Sequence, residues 1–495
     1  MSVKYVSTLT LIFFTACLFG QTQVAKINDI YKKRVVLPDE VVPLVDPVSK
    51  QFALCFFRGK TIHGYLFDER FRIIDSLQSE DKRKSYKQIF GKTILKNNDY
   101  VVFVTDNRRK KFGSVRFSFD NGQAEFFELE LDLGNERIIQ TADFNNKFHI
   151  LTVAPRTSTV NVYRFDDEKS YVKFPLDFSD DIFLDERQKE ANIYDLLTVS
   201  SGIYGLGKSI DLVKIEPSNP TTLETACNPT KFYSQDNKVF ISFDENDAMT
   251  QLIDIDLKTM KGELKVIAKA LGDERYKDRD GNSFLNGDLL YQISTTRDLL
   301  HLRAINYKTQ EVIHEHTAVA EDAIAFKNSS IVQTGGAFDN HREFESTDKL
   351  LRKIKRGEVG IAVFKTKKHT RVTFGGVIEK KQSAGFMMPG FGLPVASIGA
   401  VTIFFNPAFF AFESYVHTKA LTVDGLFDEN FMHKSGDINE NVFDQIQEFQ
   451  EEENISTAGK TLFKIDDTYF LGSYSSFNKE YTLWAFEQEA GVLGP

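Results

Sequence analysis

The feature that most restricts this chain is a recurring four-strand unit. Five segments show it best: NNDYVVFVTDNRRKKFGSVRFSFDNGQAEFFELEL from Asn97, NNKFHILTVAPRTSTVNVYRFDDEKSYVKFPL from Asn145, DNKVFISFDENDAMTQLIDIDLKTMKGELKVIA from Asp236, NGDLLYQISTTRDLLHLRAINYKTQEVIHEHT from Asn286 and DDTYFLGSYSSFNKEYTLWAFE from Asp466. Each opens on an Asn, Asp or Gly turn that tolerates a left-handed backbone. An apolar strand follows, then a short polar loop and a second strand, and most continue into a third. A further strand leads into the turn from upstream, as in ERIIQTADF before Asn145 and PTKFYSQ before Asp236. The unit is therefore an antiparallel meander, with strands A to D. A first unit spans about Pro43 to Gln78, a less regular fourth Ala191 to Thr225, and a seventh Asp322 to Ile378, with SSIVQTGGAF as strand B and EVGIAVFK as strand C. The eighth, C-terminal unit lacks a strand D. Its open edge would invite aggregation, so the short strand Arg34 to Leu37 is expected to pair with residues 480–486 and close the architecture.

Tandem meanders at this period resemble a β-propeller, in which sheets stand radially and neighbours protect their edges. The resemblance covers roughly residues 34 to 487 and implies an all-β fold of seven or eight four-stranded blades. Composition agrees: 45 Phe and 17 Tyr against 12 Pro suit pleated, packed sheets. No Trp-Asp dipeptide or kelch-type double Gly recurs, so no particular propeller family's activity carries over. The Phe- and Lys-rich character, with Gln21 just after an apolar leader, also resembles uncharacterised exported propeller-like proteins of Bacteroidota, which names no function.

That leader has Lys4 ahead of the apolar run Val6 to Phe19, with Gly20 before Gln21. It reads as a signal peptide over residues 1–20, cleaved after Gly20, or as a lipobox that anchors the chain at Cys17. Either way the protein is expected to be exported to the periplasm, cell surface or medium. Beyond the leader only Cys55 and Cys227 remain, which is no disulfide framework. A net charge of −9 gives no global attraction to nucleic acid.

Two stretches interrupt the repeat, and such additions are where function concentrates. In Gly335 to Gly357, DKLLRKIKRGE places Leu350, Leu351 and Ile354 on one helical face with Arg352 and Lys353 beside it. The plain reading is a helix docked by its leucines with its charges solvated. The second, 379–457, divides the propeller into 34–378 and 458–487. It carries an uncharged stretch from Gln382 to Phe412 in which Phe386, Met387, Met388 and Phe391 form an adaptable, sticky loop. The competing reading buries Ala400 to Phe405 and Phe409 to Tyr415 as strands. Asp437 and Glu440 then have capping-box spacing ahead of a helix carrying Ile438, Val442, Ile446 and Phe449 and ending on Glu451 to Glu453. Both interruptions are expected to rise from one face, with Arg352 and Lys353 near Glu448 and Glu451.

No catalytic motif stands out. His314 and His316 share a strand face, as two metal ligands would, but an outer edge explains them. DRDGNS at Asp278 resembles a calcium loop yet has Tyr276 at the first ligand position. Arg108 to Lys111 is a solvated turn, and Asp254 and Asp256 end a strand. The expectation is a non-enzymatic binding or scaffold protein of the cell envelope or exterior. It needs no cofactor or metal, spans no membrane in its mature form, binds no nucleic acid, and engages a protein or envelope component through Phe386, Met387, Met388, Phe391, Arg352 and Lys353. The alternative is a propeller hydrolase or lyase acting on extracellular glycan or peptide.

Overall fold

The computed structural model describes residues 22–28, 38–79, 82, 84–201, 207–273, 278–334, 341–379, 406–413, 419–456 and 458–487. Among them stand seven sheets of four or five strands and two short hairpins. Strand A of blade 1 (Glu40–Val45) packs against strand A of blade 2 (Tyr86–Ile94), and that against strand A of blade 3 (Arg137–Phe144). Blade 4 opens with Thr230–Gln235, blade 5 with Asp280–Asn286, blade 6 with Glu358–Lys365 and blade 7 with Thr461–Ile465, whose strand A returns to blade 1. The described residues form an all-β propeller of seven blades.

Burial explains the strand chemistry. Strand B of blade 1, FALCFFR, is buried at every position but the last, because blades flank both its faces. Strand D of the same blade, IIDSLQS, lies at the rim and is mostly exposed. Turns between strands A and B take the left-handed backbone their residues suggest, with positive φ at Asn98, Asn145, Asn146, Asp236, Gly287 and Asp466. Aromatic clusters fill the wedges between blades. Phe103 of blade 2 stacks on Phe148 of blade 3 with centroids 4.4 Å apart, and Gly91 makes room, since a Cβ there would lie 2.1 Å from the Phe148 ring.

The ring closes through the N-terminus, but with a different segment from the one expected. Thr22–Asn28 pairs antiparallel with Glu480–Glu487 as the outermost strand of blade 7, burying Ala25 and Ile27. Residues 34–37 lie outside the described residues. TQVAKIN is short, half polar and interrupted by a bulge between Gln23 and Ala25, which hides its strand character.

Two units are corrected. Ala191 to Thr225 is not a blade: it holds a helical turn (Ile193–Leu197), the hairpin Thr198–Ser201 with Gly207–Ile210, and a strand, Val213–Ile215, running parallel to strand A of blade 4. In blade 6, EVGIAVFK is strand A, Thr370–Glu379 is strand B, Lys419–Phe427 is strand C and Ile331–Thr334 is strand D, with the short Arg342–Phe344 added as a fifth strand at the rim. SSIVQTGGAF thus supplies strand D from upstream through Ile331–Thr334, and 379–457 contributes a strand to the blade rather than standing apart from it. A repeat register follows chain order, whereas here chain order and spatial order differ.

The helices shift too. Pro407–Glu413 is helical, where Phe409 to Tyr415 was expected as a strand. The acidic helix runs Val442–Glu452, with Asn441 and Asp444 forming its capping box in place of Asp437 and Glu440. Val442, Phe443, Ile446 and Phe449 bury against Leu462, Tyr469, Leu471 and Phe486 of blade 7.

Candidate functional site

All seven A strands run in the same direction, so every one begins at one face of the ring and ends at the other. Antiparallel reversal then puts each B-to-C turn and each D-to-next-A connection on the starting face. Three large additions leave from that face: 178–229 between blades 3 and 4, 320–357 between blades 5 and 6, and the B-to-C connection of blade 6 between Glu379 and Lys419. Register fixes the grouping, since Thr334 lies opposite Ala420, Glu379 opposite Lys419 and Glu358 opposite Val377.

The first addition fills the centre of the ring. From Val213 it descends beside blade 4, Lys214 donating to the Thr141 carbonyl of blade 3 at 3.0 Å. Pro217 and Pro220 bracket a turn in which the Asn219 amide donates to the Glu216 carbonyl. Blade 5 holds this turn through Asn286, whose Nδ2 donates to the Pro217 carbonyl at 3.3 Å. Blade 7 holds it through Lys464, donating to the Ser218 carbonyl at 3.1 Å, and Tyr469, whose hydroxyl donates to Asn219 Oδ1 at 2.8 Å. The chain returns through a short helix, Leu223–Ala226, capped by Thr222, and ends on buried Cys227, whose Sγ donates to the Glu358 carbonyl of blade 6. Val213 to Cys227 is a plug held by blades 3 to 7.

Gly360 on strand A of blade 6 is the seat of the plug, because a Cβ there would stand 2.4 Å from Cys227 Sγ and 3.1 Å from its Cα and N. Gly360→Ala is expected to cost about 1–3 kcal/mol as overpacking, read as a lowered denaturation midpoint. Adding Cys227→Ala should restore part of that loss, since the nearest clash is with sulfur.

Between the plug and blades 1 to 3 and 7 remains a cavity of about 270 Å³. The ends of strands A supply Val45, Ile94, Asp143 and Lys464, which puts it toward the face opposite the additions, and Asn406 and Ala408 reach it from beside strand A of blade 7. Lys92, Asp143, Lys214, Glu216 and Lys464 converge here. Lys92 Nζ donates to the Pro43 carbonyl at 2.5 Å, and Thr93 Oγ1 donates to Asp143 Oδ1 at 3.0 Å. Asp143 faces the cavity yet is ringed by protein. Loss of bulk solvent therefore raises its carboxyl to about 6 against the pull of Thr93, Lys92 and Lys214. The same desolvation lowers the Lys92 ammonium to about 8, with Asp143 and Glu216 opposing it. It also lowers Lys214 and raises Glu216.

Of the residues singled out in the sequence, Arg352 and Lys353 sit on the helix Thr347–Ile354. Leu350, Leu351 and Ile354 are buried beneath it. Arg352 pairs with Asp348 in its own helix at 2.9 Å, while Lys353 donates to Gln333 at 2.6 Å and lies over the Phe344 ring. This helix packs on blades 5 and 6 and the acidic helix on blade 7, so the expected meeting of their charges is not what positions them. Phe386, Met387, Met388 and Phe391 lie outside the described residues. His316 is a core-edge residue among Phe326, Phe427 and Phe431, bonded to the Phe431 carbonyl at 2.8 Å. Asp278 pairs with Lys355, and Asp254 with Lys238. Cys55 and Cys227 are both buried thiols. The cavity residues escaped the sequence reading because their charges are scattered over four separate segments, blades 2, 3 and 7 and the plug.

Comparison with known protein families and with curated proteins finds no match. Among solved structures, the Dos1 propeller aligns over 95% of this chain and 96% of its own at 10% identity and a TM-score of 0.31. The WD40 domain of SCAP from fission yeast aligns over 96% and 92% at 9% identity and 0.30. A prolyl endopeptidase aligns over 92% of this chain and 50% of its own at 8% identity and 0.32. Scores this low add no weight, and the propeller assignment stands on the sheet order and the contacts between neighbouring blades.

Proposed function

We propose that this protein is a non-enzymatic binding or scaffold propeller of the cell envelope or exterior, engaging a protein or envelope component on the face that carries the additions. The observation that supports this most is the plug. With its own chain across the centre of the ring, the protein offers a partner a decorated face rather than a passage. Phe477, on the B-to-C turn of blade 7, is 94% exposed on that face, as an anchor for a partner would be. In this reading Phe386, Met387, Met388 and Phe391 supply adaptable apolar contact, and Arg352 and Lys353 flank it with charge. Export rests on the leader over residues 1–20, with the mature chain starting at Gln21 or, lipidated, at Cys17.

The alternative, a propeller hydrolase or lyase acting on extracellular glycan or peptide, draws its support from Asp143 and Glu216 converging on the cavity. One experiment separates the two. Deleting Phe386 to Pro394 should abolish capture of the partner from the cell's own envelope while the melting temperature stays unchanged. Val48→Ser, on the opposite face, should leave capture intact. Loss of fold on deletion, or capture that survives it, would remove the case for this loop as the binding element.

A further inference from the structure

The cavity is a candidate site in its own right, independent of the partner face. Three ammonium groups reach it from three elements: Lys92 from blade 2, Lys214 from the plug and Lys464 from blade 7. Two carboxylates face them, Asp143 from blade 3 and Glu216 from the plug. With all five ionised the lining carries one net positive charge. Asp143 and Glu216 already accept bonds, from Thr93 at 3.0 Å and from Asn219 at 3.4 Å. Each ammonium can give three hydrogen bonds, and those of Lys92, Lys214 and Lys464 reach the carbonyls of Pro43, Thr141 and Ser218. An excess of cations over carboxylates around a partly open pocket attracts an anion. The cavity, about 270 Å³, has room for a small organic acid.

We infer that the cavity between the plug and blades 1, 2, 3 and 7 binds a small carboxylate anion, held by Lys92, Lys214 and Lys464. Asp143 tunes the affinity. It stands beside Lys92 and Lys214; Lys92 in turn faces Asp143, Glu216, Lys214 and the Cys55 thiol, and Lys464 faces Glu216 and Asp467. Protonation of Asp143 near pH 6 adds a positive charge to the site, and deprotonation of Lys92 near pH 8 removes one. Anion affinity therefore falls in two steps as pH rises.

The test is isothermal titration of the purified protein with succinate, glutamate and inorganic phosphate at pH 5.5, 7 and 8.5. A carboxylate should bind, with affinity falling at least about tenfold across that range, as expected for a unit change of charge at contact distance in a partly screened pocket. Lys464→Gln should weaken binding at least about tenfold, and hydrogen exchange of the plug, read on the same variant, separates loss of the charge from loosening of the Ser218 contact. Asp143→Asn should tighten binding at pH 7 and erase the step near pH 6. No binding by any probe overturns the inference. So does phosphate binding without carboxylate binding, or carboxylate binding that neither variant alters, which would mark it as adventitious. Capture of the envelope partner is read separately and does not depend on this result.

Discussion

Asp244→Asn is expected to be among the most destabilising single substitutions in the protein, lowering stability by about 3–5 kcal/mol because it leaves two buried ammoniums without their counter-ion. Asp244, Lys231 and Lys269 are all fully buried where blade 4 meets blade 5. Lys231 Nζ lies 3.2 Å from Asp244 Oδ2, and Lys269 donates to the carbonyls of Asp244, Asn246 and Gly281. The carboxylate also accepts from Thr250 at 2.6 Å and from the Ser283 hydroxyl of blade 5 at 2.7 Å. Burial alone would raise this carboxyl, yet the two lysines and two hydroxyls outweigh it and hold it below the ordinary Asp value. Its folded pKa is thus below its unfolded one, so its contribution is complete at neutral pH and is lost only as pH falls below about 4. The check is the urea midpoint at pH 7. Combining Asp244→Leu with Lys231→Met and Lys269→Met should recover stability over the single variant, since no unpaired charge then remains; a single variant that melts like the parent would show that the cluster is not what joins these blades.

Removing Thr22–Asn28 is expected to have an effect of similar size. Ile27 and Ala25 are 3% and 8% exposed, and full burial of one such large aliphatic side chain contributes about 1.5–3 kcal/mol before the lost ladder bonds are counted. Deletion also leaves Glu480–Glu487 as an open edge next to the ring's first blade, a template for pairing between molecules. A truncated chain should melt earlier and associate with concentration, whereas Ile27→Asp, which keeps the backbone pairing, should melt earlier with less association. If deletion changes neither melting nor the sedimentation profile, the ring is not closed by this strand.

What the sequence made legible is what repeats. Apolar strands after Asn97, Asn145, Asp236, Asn286 and Asp466 are all strand B of a blade, because turn chemistry and strand burial recur together. The reading failed where chain order and space part. Ile331–Thr334 looks like a second strand but serves as the fourth strand of a sheet in which its inner neighbour lies far downstream, at Lys419–Phe427. The plug has no period at all: Val213–Ile215 is a three-residue strand with a lysine at its centre. A charge inside a strand that should be buried was the available signal, and Lys92 in GKTIL, Asp143 in TADF and Lys214 in VKI all carry it. Nothing in one sequence tells that these three strands meet.

The plug decides whether the ring offers a face or a passage, so its own stability is the most direct test. Amide hydrogen exchange followed by mass spectrometry should find Lys214 to Cys227 protected as strongly as strand A of blade 4, Thr230–Gln235, because the segment is paired with that strand and bonded to five blades. Exchange of Lys214 to Cys227 as fast as the exposed turn around Phe477 would contradict the account, leaving the ring open through its centre.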